Sequence, residues 1–478
     1  MLRKLFSDSV IYTIPILVSK SIGVLIIPIY TRILSVSEYG NLDLLLVIAN
    51  LVNLVVAFEI SQGVARFYSA EKKIKNRNLL VSSAFQFFIF CHFVFLAVIS
   101  YFADSLTPIL MGEDTDPLIF LLGIFYGTAH GLLLFVQNQF RWDLKSKTYA
   151  IISIITSIIS TLLSLVFAIV LEYGLSGILL GLIVGNLIGI LIGLFIQRKK
   201  FFGGFSYKFL RKLLAFSLPL VPSGLAVFFS AYLDRFMINA IVGVDAVGIY
   251  GVGFRIASVV GIITIGLRGA FMPTIYKHAQ DENTPKQIAT AFRLFAVGAL
   301  SFSSVFILFP KFFVSILSTE DYLSASNVVP SLVLGIIFAQ MYIFTPGMAL
   351  AKKTSLILII NIVAVALNAF LNFLLIPKFG IHGASFATLC SGAVLFILNM
   401  ISSQRLYFVP HEWFRLLIVF GFFLLLIGFV TVESYINIPE SVLRILAFPL
   451  ILVVIFAFKL VKNEEWRGAL VFFKVLKS

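Results

Sequence analysis

Charged and titratable side chains inside long apolar runs are the residues of this sequence best placed to do chemistry. Lys20, Arg235, Arg255, Arg268 and Arg293 stand in such runs, together with Glu59, Asp234, His92 and His130. An ionised side chain at the centre of a bilayer costs about 2.5–3.5 kcal/mol on insertion scales, so each one needs a reason to be there. Five basic groups against two acidic ones would attract an anion. A phosphate or pyrophosphate fits, because ammonium and guanidinium groups make charge-assisted bonds to its oxygens. His92 and His130 are candidate proton relays, with hydrogen-bonded core positions as the alternative. With Glu59 they form the candidate coupling set.

Each charge also has a plainer reading. Arg293 lies only a few residues inside an apolar boundary and is expected to snorkel to it. Arg268 fits a wall or a snorkelling position equally well. Glu59 precedes Arg66 by seven residues, two helical turns on one face, so local pairing is expected. Asp234 and Arg235 are adjacent and should point in different directions, so a mutual salt bridge does not account for them. For Lys20 and Arg255 the plainer reading is weaker, because both are well inside their runs.

The elements that position these groups follow from composition. The chain has 478 residues, is 60% hydrophobic and 12% charged, and contains 51 phenylalanines. A soluble chain would carry about a quarter charged residues. The apolar runs are helix-length and lack the alternation of outer-membrane strands. An all-α integral membrane protein is predicted. Its spans fall at roughly 9–31, 41–65, 79–102, 117–140, 148–171, 177–197, 213–240, 247–275, 288–309, 327–350, 354–376, 384–403, 416–436 and 441–461, about fourteen in all.

The start, MLRKLFSDSV, is basic like a signal peptide, but the apolar segment behind it contains Lys20 and has no small-residue cleavage site. It is predicted to be a retained first helix. Cys91 and Cys390 both lie in apolar runs, which excludes a disulfide framework. No Cys/His cluster, Gly-rich phosphate loop or nucleophile elbow is present, so no metal, cofactor or catalytic role is expected.

Orientation follows from basic residues. With the N-terminus placed in the cytoplasm, roughly 27 of the 36 Lys and Arg fall on that side and about 4 outside. Outer loops are acidic instead, as in GEDTD at 112–116 and TED at 319–321. Both termini are expected in the cytoplasm. The net charge of +14 is a topological signature, and nucleic acid is not an expected partner. The tail at 462–478 mixes Trp466 and Phe472 with Arg467, Lys474 and Lys477, as an interfacial amphipathic helix does.

The sequence also repeats. LEYGLSG at 171–177 and PKFGIHG at 377–383 align Gly174 with Gly380 and Gly177 with Gly383. The same offset carries Lys147–Thr148 onto Lys353–Thr354, and YTIPIL at 12–17 resembles FSLPLV at 216–221, Pro15 matching Pro219. About six spans separate the two turns, so both emerge on one face. That pattern predicts two parallel six-helix lobes, 1–200 and 201–410, around a central cavity, with two further helices at 411–461. Glycine suits the turns because it tolerates positive φ, and Gly40 and Gly248 are further candidate turn or hinge glycines. Pro15, Pro28, Pro219 and Pro222 are candidate hinges.

Several stretches resemble the bacterial polysaccharide and O-antigen flippases. YTRILSVSEYG at 30–40 carries Arg32, Leu34, Tyr39 and Gly40 in that family's pattern. AYLDRFMINAIVGVDAVGIYGVGFRIA at 231–257 is similar to its Asp-Arg segment followed by a Gly-x-Tyr turn, through Asp234, Arg235, Gly248 and Tyr250. LNFLLIPKFGIHGASFATLCSG at 371–392 matches a third signature through Asn372, Pro377, Gly380, Gly383 and Ala384. The resemblance covers nearly the whole chain. It implies the multidrug/oligosaccharidyl-lipid/polysaccharide exporter fold. It also implies an undecaprenyl-pyrophosphate-linked oligosaccharide as substrate, moved from the inner to the outer leaflet of the cytoplasmic membrane for O-antigen, capsule or exopolysaccharide assembly.

The expected substrate wall is then Lys20, Arg32, Asp234, Arg235, Arg255 and Arg268. Expected partners are the lipid-linked glycan and membrane lipid, with a polysaccharide polymerase and a chain-length regulator as candidates. An exporter of cationic drugs would place an unpaired carboxylate in the first span, where this sequence has Lys20. A membrane polysaccharide polymerase would present a large outer loop, and the longest outer loops here are around fourteen to sixteen residues.

Overall fold

The computed structural model describes residues 2–113, 115–262, 264, 275, 278–433, 449 and 453–461, with side chains from residue 11 onward except at 354, 427 and 429–433. Every regular element among them is helical. Eleven helices are long and apolar enough to cross a membrane. The chain is a multi-pass membrane protein. One of the eleven, Ser355–Leu406, covers two expected spans and bends between them at Gly380 (φ 55°, ψ −133°). The helix Trp413–Glu433 overlaps the expected span at 416–436. The count of fourteen is not established, because most of 441–461 falls outside the described residues. So do Arg268 and the tail at 462–478.

The chain packs as two compact units. The first comprises Met1–Val252, Leu317–Tyr322 and Val365–Ala384. Its helices include α1 (Leu2–Leu25), α2 (Ile27–Ile33), α3 (Val36–Val55), α4 (Ile60–Tyr68), α5 (Ile74–Tyr101), α6 (Ala103–Met111), α7 (Pro117–Trp142), α8 (Ser146–Leu165), α9 (Gly174–Ile196), α10 (Arg198–Phe201), α11 (Tyr207–Ser217) and α12 (Val221–Ile241). The first unit also holds the start of α13 (Val244–Ser258).

Apolar helices gain little hydrophobic energy by meeting in lipid, so close packing through small residues holds them. Gly181, Gly185 and Gly189, at every fourth position of α9, lie against Ser164, Ser160 and Thr156, at every fourth position of α8. A Cβ at any of the three would overlap its partner. Gly123 and Gly127 of α7 seat on Leu45 and Ala49 of α3 in the same way.

The paired turns both place their first glycine at a positive φ. Gly174 has φ +50° and Gly380 has φ +55°, and each is followed by a glycine packed on the preceding helix. Gly177 lies against the backbone of Phe167, and Gly383 against that of Leu375. Gly40 and Gly248, expected as turn glycines, are instead helical residues inside α3 and α13. Their lack of a Cβ serves close approach: Gly40 abuts the backbone of Val244, and Gly248 abuts that of Val36. α3 and α13 therefore meet backbone to backbone.

Breaks divide several spans. α1 runs through Pro15 to Leu25, and α2 restarts with Pro28 in its first turn. Between α3 and α4, Phe58 and Glu59 both adopt left-handed φ values of 51°. A 3-10 turn at Leu218–Leu220, containing Pro219, joins α11 to α12, which opens with Pro222.

The second unit comprises Gly253–Ile316, Leu323–Ala364 and Ser385–Ser478. The helices Thr284–Leu308, Val329–Gln340 and Trp413–Glu433 pack together in it. Phe292 anchors their core, with ring centroids 5.0 Å from Phe344, 5.9 Å from Phe396 and 6.5 Å from Phe420.

Candidate functional site

The close approach of α3 and α13 leaves room beside them for a buried charged cluster on α12. Arg235 is 3% exposed, and its Nε donates to Asp43 Oδ2 at 3.1 Å. Its Nη1 donates to Asp234 Oδ1 at 3.0 Å. The Tyr250 hydroxyl donates to the other oxygen of Asp234, Oδ2, at 2.5 Å. The rings of Tyr232 and Tyr250 lie 5.5 and 5.6 Å from the guanidinium carbon, within cation–π range. Gly251 admits the Asp43 carboxylate, since a Cβ there would stand 3.1 Å from its Cγ.

This arrangement corrects two expectations. Asp234 and Arg235 do form a mutual ion pair, because the short aspartate folds back to accept from both the backbone N–H and Nη1 of Arg235. Arg235 also does not present a free fork to an anion. Two carboxylates surround one guanidinium, so the ionised cluster is net negative and holds helices together. Asp43 was missed by sequence reasoning. The available signal was a carboxylate within the apolar stretch NLDLLLVIAN, near the start of the second span.

The other cations differ in setting. Lys20 is exposed near the middle of the first apolar span, and no carboxylate pairs with it among the described residues. Its neighbour Ser19 meets Ser157 of α8 at 3.0 Å, which fixes that turn of α1. Arg32 is exposed, and its Nη1 donates to the carbonyl of Pro28 in its own helix at 2.5 Å. Neither joins the Arg235 cluster by a hydrogen bond or ion pair among the described residues. Arg255 is half-buried near the end of α13, in the second unit.

Arg293 does not snorkel. It is fully buried, and Nη1 lies 3.0 Å from Glu412 Oε2, which Arg415 also contacts. The helix Thr284–Leu308 runs past the connector at 407–412, so a carboxylate is supplied locally.

The candidate coupling residues are held by plain contacts. His92 is 2% exposed, with Nδ1 2.9 Å from the Phe88 carbonyl and its ring stacked on Phe88. His130 stacks on Tyr126 with centroids 5.6 Å apart. Glu59 does not pair with Arg66, because the helix on which their spacing was counted is interrupted at Phe58–Glu59. Its carboxylate is hydrogen-bonded by Gln62 instead and borders Gly224 of α12.

Near the ends of α4, α7 and α9, Asp143 ties three segments together. Tyr68 donates to Oδ1 and Lys200 to Oδ2, both at 2.5 Å. Burial would raise the Asp143 carboxyl, but the bonds from Lys200 and Tyr68 outweigh it and hold the group below the usual carboxylate range. Burial lowers the Lys200 ammonium, against the pull of Asp143.

Residues 5–279 match the model of a family described as polysaccharide biosynthesis protein. The chain belongs to this polysaccharide biosynthesis family. No curated protein matches its sequence. The chain shares its fold with the lipid II flippase MurJ in an inward closed conformation, at TM-score 0.67 and 15% identity, over 94% of this chain and 98% of that one. An inward-facing multidrug resistance MATE transporter of the MOP superfamily matches at TM-score 0.62 and 16% identity, over 83% and 94%. A Vibrio cholerae MATE transporter matches at TM-score 0.59 and 15% identity, over 84% and 96%. The fold is thus that of MurJ and MATE transporters.

Proposed function

We propose that this family member translocates an undecaprenyl-pyrophosphate-linked oligosaccharide from the inner to the outer leaflet of the bacterial cytoplasmic membrane, by alternating access. The observation that carries the proposal is Lys20. It is an exposed cation at mid-span with no carboxylate to neutralise it among the described residues. Facing lipid, such a charge would cost several kcal/mol. Facing a water-filled path it is tolerated, and it gains a charge-assisted hydrogen bond when a pyrophosphate passes.

Lys20 and Arg32 are the cations assigned to the pyrophosphate, and Arg255 and Arg268 join them on sequence grounds alone. Arg235 is left out because carboxylates already occupy it. The repeat around Gly174 and Gly380 supports two equivalent six-helix lobes, at 1–200 and 201–410, as the moving parts. The transported unit then feeds a polymerase and a chain-length regulator.

Cells lacking the protein should still make the lipid-linked repeat unit but leave it unpolymerised and facing the cytoplasm. Extraction of lipid-linked intermediates from a deletion strain tests this. Absence of the intermediate, or glycosidic bond formation by the purified protein alone, would replace transport with synthesis.

A further inference from the structure

The segment between α9 and the end of α11 carries aromatic and basic side chains that the transport reading does not use. Phe202, Phe205 and Tyr207 are 70%, 53% and 70% exposed. Arg198, Lys199, Lys208 and Arg211 are exposed beside them, and none has a carboxylate partner among the described residues. Two further cations of the segment are already engaged, Lys200 with Asp143 at 2.5 Å and Lys212 with Glu71 at 3.6 Å.

The platform beneath is held in place. Phe201 is fully buried, with its ring centroid 4.8 Å from that of Phe85 on α5. The Gly204 carbonyl accepts from Ser82 and from Gln86, and the Ser206 N–H donates to Ser83 Oγ at 2.8 Å. Ser206 then caps α11, which turns Leu210 and Leu213 into the core and leaves Lys208 and Arg211 outside. Outward aromatics on a pinned loop are therefore a built surface. Amphipathic rings beside unpaired cations suit the headgroup zone of a bilayer, where rings sit at the apolar boundary and cations meet phosphates.

We propose that residues 198–211 form a binding surface for anionic phospholipid headgroups of the surrounding membrane. Arg198, Lys199, Lys208 and Arg211 take the phosphates, and Phe202, Phe205 and Tyr207 enter the boundary between headgroups and chains. The occupant is a bilayer lipid because the aromatics are apolar and outward, which a free phosphate would not use. The surface stands independently of the transported substrate.

Native mass spectrometry of the full-length protein, released from micelles of equal phosphatidylglycerol and phosphatidylcholine, tests the proposal. The wild-type protein should retain phosphatidylglycerol in preference to phosphatidylcholine. A surface cation is worth about fivefold in anionic-lipid binding. The variant R198Q/K199Q/K208Q/R211Q should therefore lose at least tenfold of that preference while its melting temperature holds. The variant K72Q/K73Q/K75Q/K147Q removes four other exposed lysines and should keep the preference. Lys199→Gln and Arg211→Gln singly should each give a smaller loss, which carries the test if the fourfold variant is poorly folded. Equal retention of the two lipids by wild-type protein would overturn the proposal. So would an equal loss in the control variant, or displacement of phosphatidylglycerol by millimolar inorganic phosphate.

Discussion

Arg235 on α12 and Asp43 on α3, 192 positions apart in the chain, meet through Nε and Oδ2 at 3.1 Å in a site where both are buried. The pair, with Asp234 and Tyr250, turns a conspicuous intramembrane cation into a structural joint. A buried ion pair costs desolvation to form, but removing one partner leaves an uncompensated charge worth about 3–5 kcal/mol. Arg235→Gln should lower the melting temperature and abundance accordingly. Arg235→Gln combined with Asp43→Asn should cost less than the two single changes added together. Additive losses, seen by thermal unfolding in detergent, would show that the two side chains do not work as a pair.

The paired glycine turns make a second prediction. Gly380 has open space around its Cα, and Gly174 has only Glu38 Oε1 at 3.9 Å, so alanine at either position meets backbone strain alone. Such strain is on the order of 1–3 kcal/mol. Gly174→Ala and Gly380→Ala should therefore each lower stability. Gly383→Ala should cost more at its neighbouring site, because its Cβ would stand 2.5 Å from the Leu375 carbonyl oxygen. A harmless Gly380→Ala would remove the conformational reason for the repeat.

Much of this was legible beforehand, for identifiable reasons. Apolar run length marked the membrane helices, and the offset between Gly174 and Gly380 marked two turns that share a positive φ. Asp234 and Arg235 stood out as charges in an apolar run. Their partner Asp43 did not, because no local spacing reports which helices cross, and the crossing depends on Gly40 and Gly248 approaching foreign backbone. The break at Phe58–Glu59 was hidden for another reason. Neither residue type favours positive φ, so only tertiary packing can place it there. The fourfold spacing of glycines in α9 was readable as a helix-packing stripe and went unused.

Acid should loosen the second unit. His411, in the connector between Leu406 and Trp413, is 7% exposed and packs against Phe292 and Trp413. Burial pushes its pKa down from the ordinary 6.5 to about 4. Between those values the unfolded chain binds a proton that the folded chain refuses, so stability is full above about pH 6.5 and declines as pH falls toward 4. The loss amounts to about 3 kcal/mol. His411→Phe should flatten this part of the melting-temperature profile. An unchanged pH dependence in that variant would assign the acid sensitivity to other groups.

Topology is open to direct measurement. Reporter fusions after residues 75, 145 and 203 should report the cytoplasm, and those after 112 and 320 the outside. A cytoplasmic signal from the fusion at 112 would contradict the orientation drawn from the basic residues.

The most direct test of the central claim is leaflet transfer of an undecaprenyl-pyrophosphate oligosaccharide in liposomes holding purified protein, followed by accessibility of the sugar to an outside probe. The account predicts transfer by the wild-type protein. It predicts a tenfold or larger reduction for Lys20→Gln, the loss of one charge-assisted hydrogen bond worth about 1.5–3 kcal/mol, with protein level and melting temperature unchanged. Arg255→Lys should keep part of the activity and Arg255→Gln little, because lysine keeps the charge but lacks the planar fork. Undiminished transfer with Lys20 and Arg255 both neutralised would contradict the account.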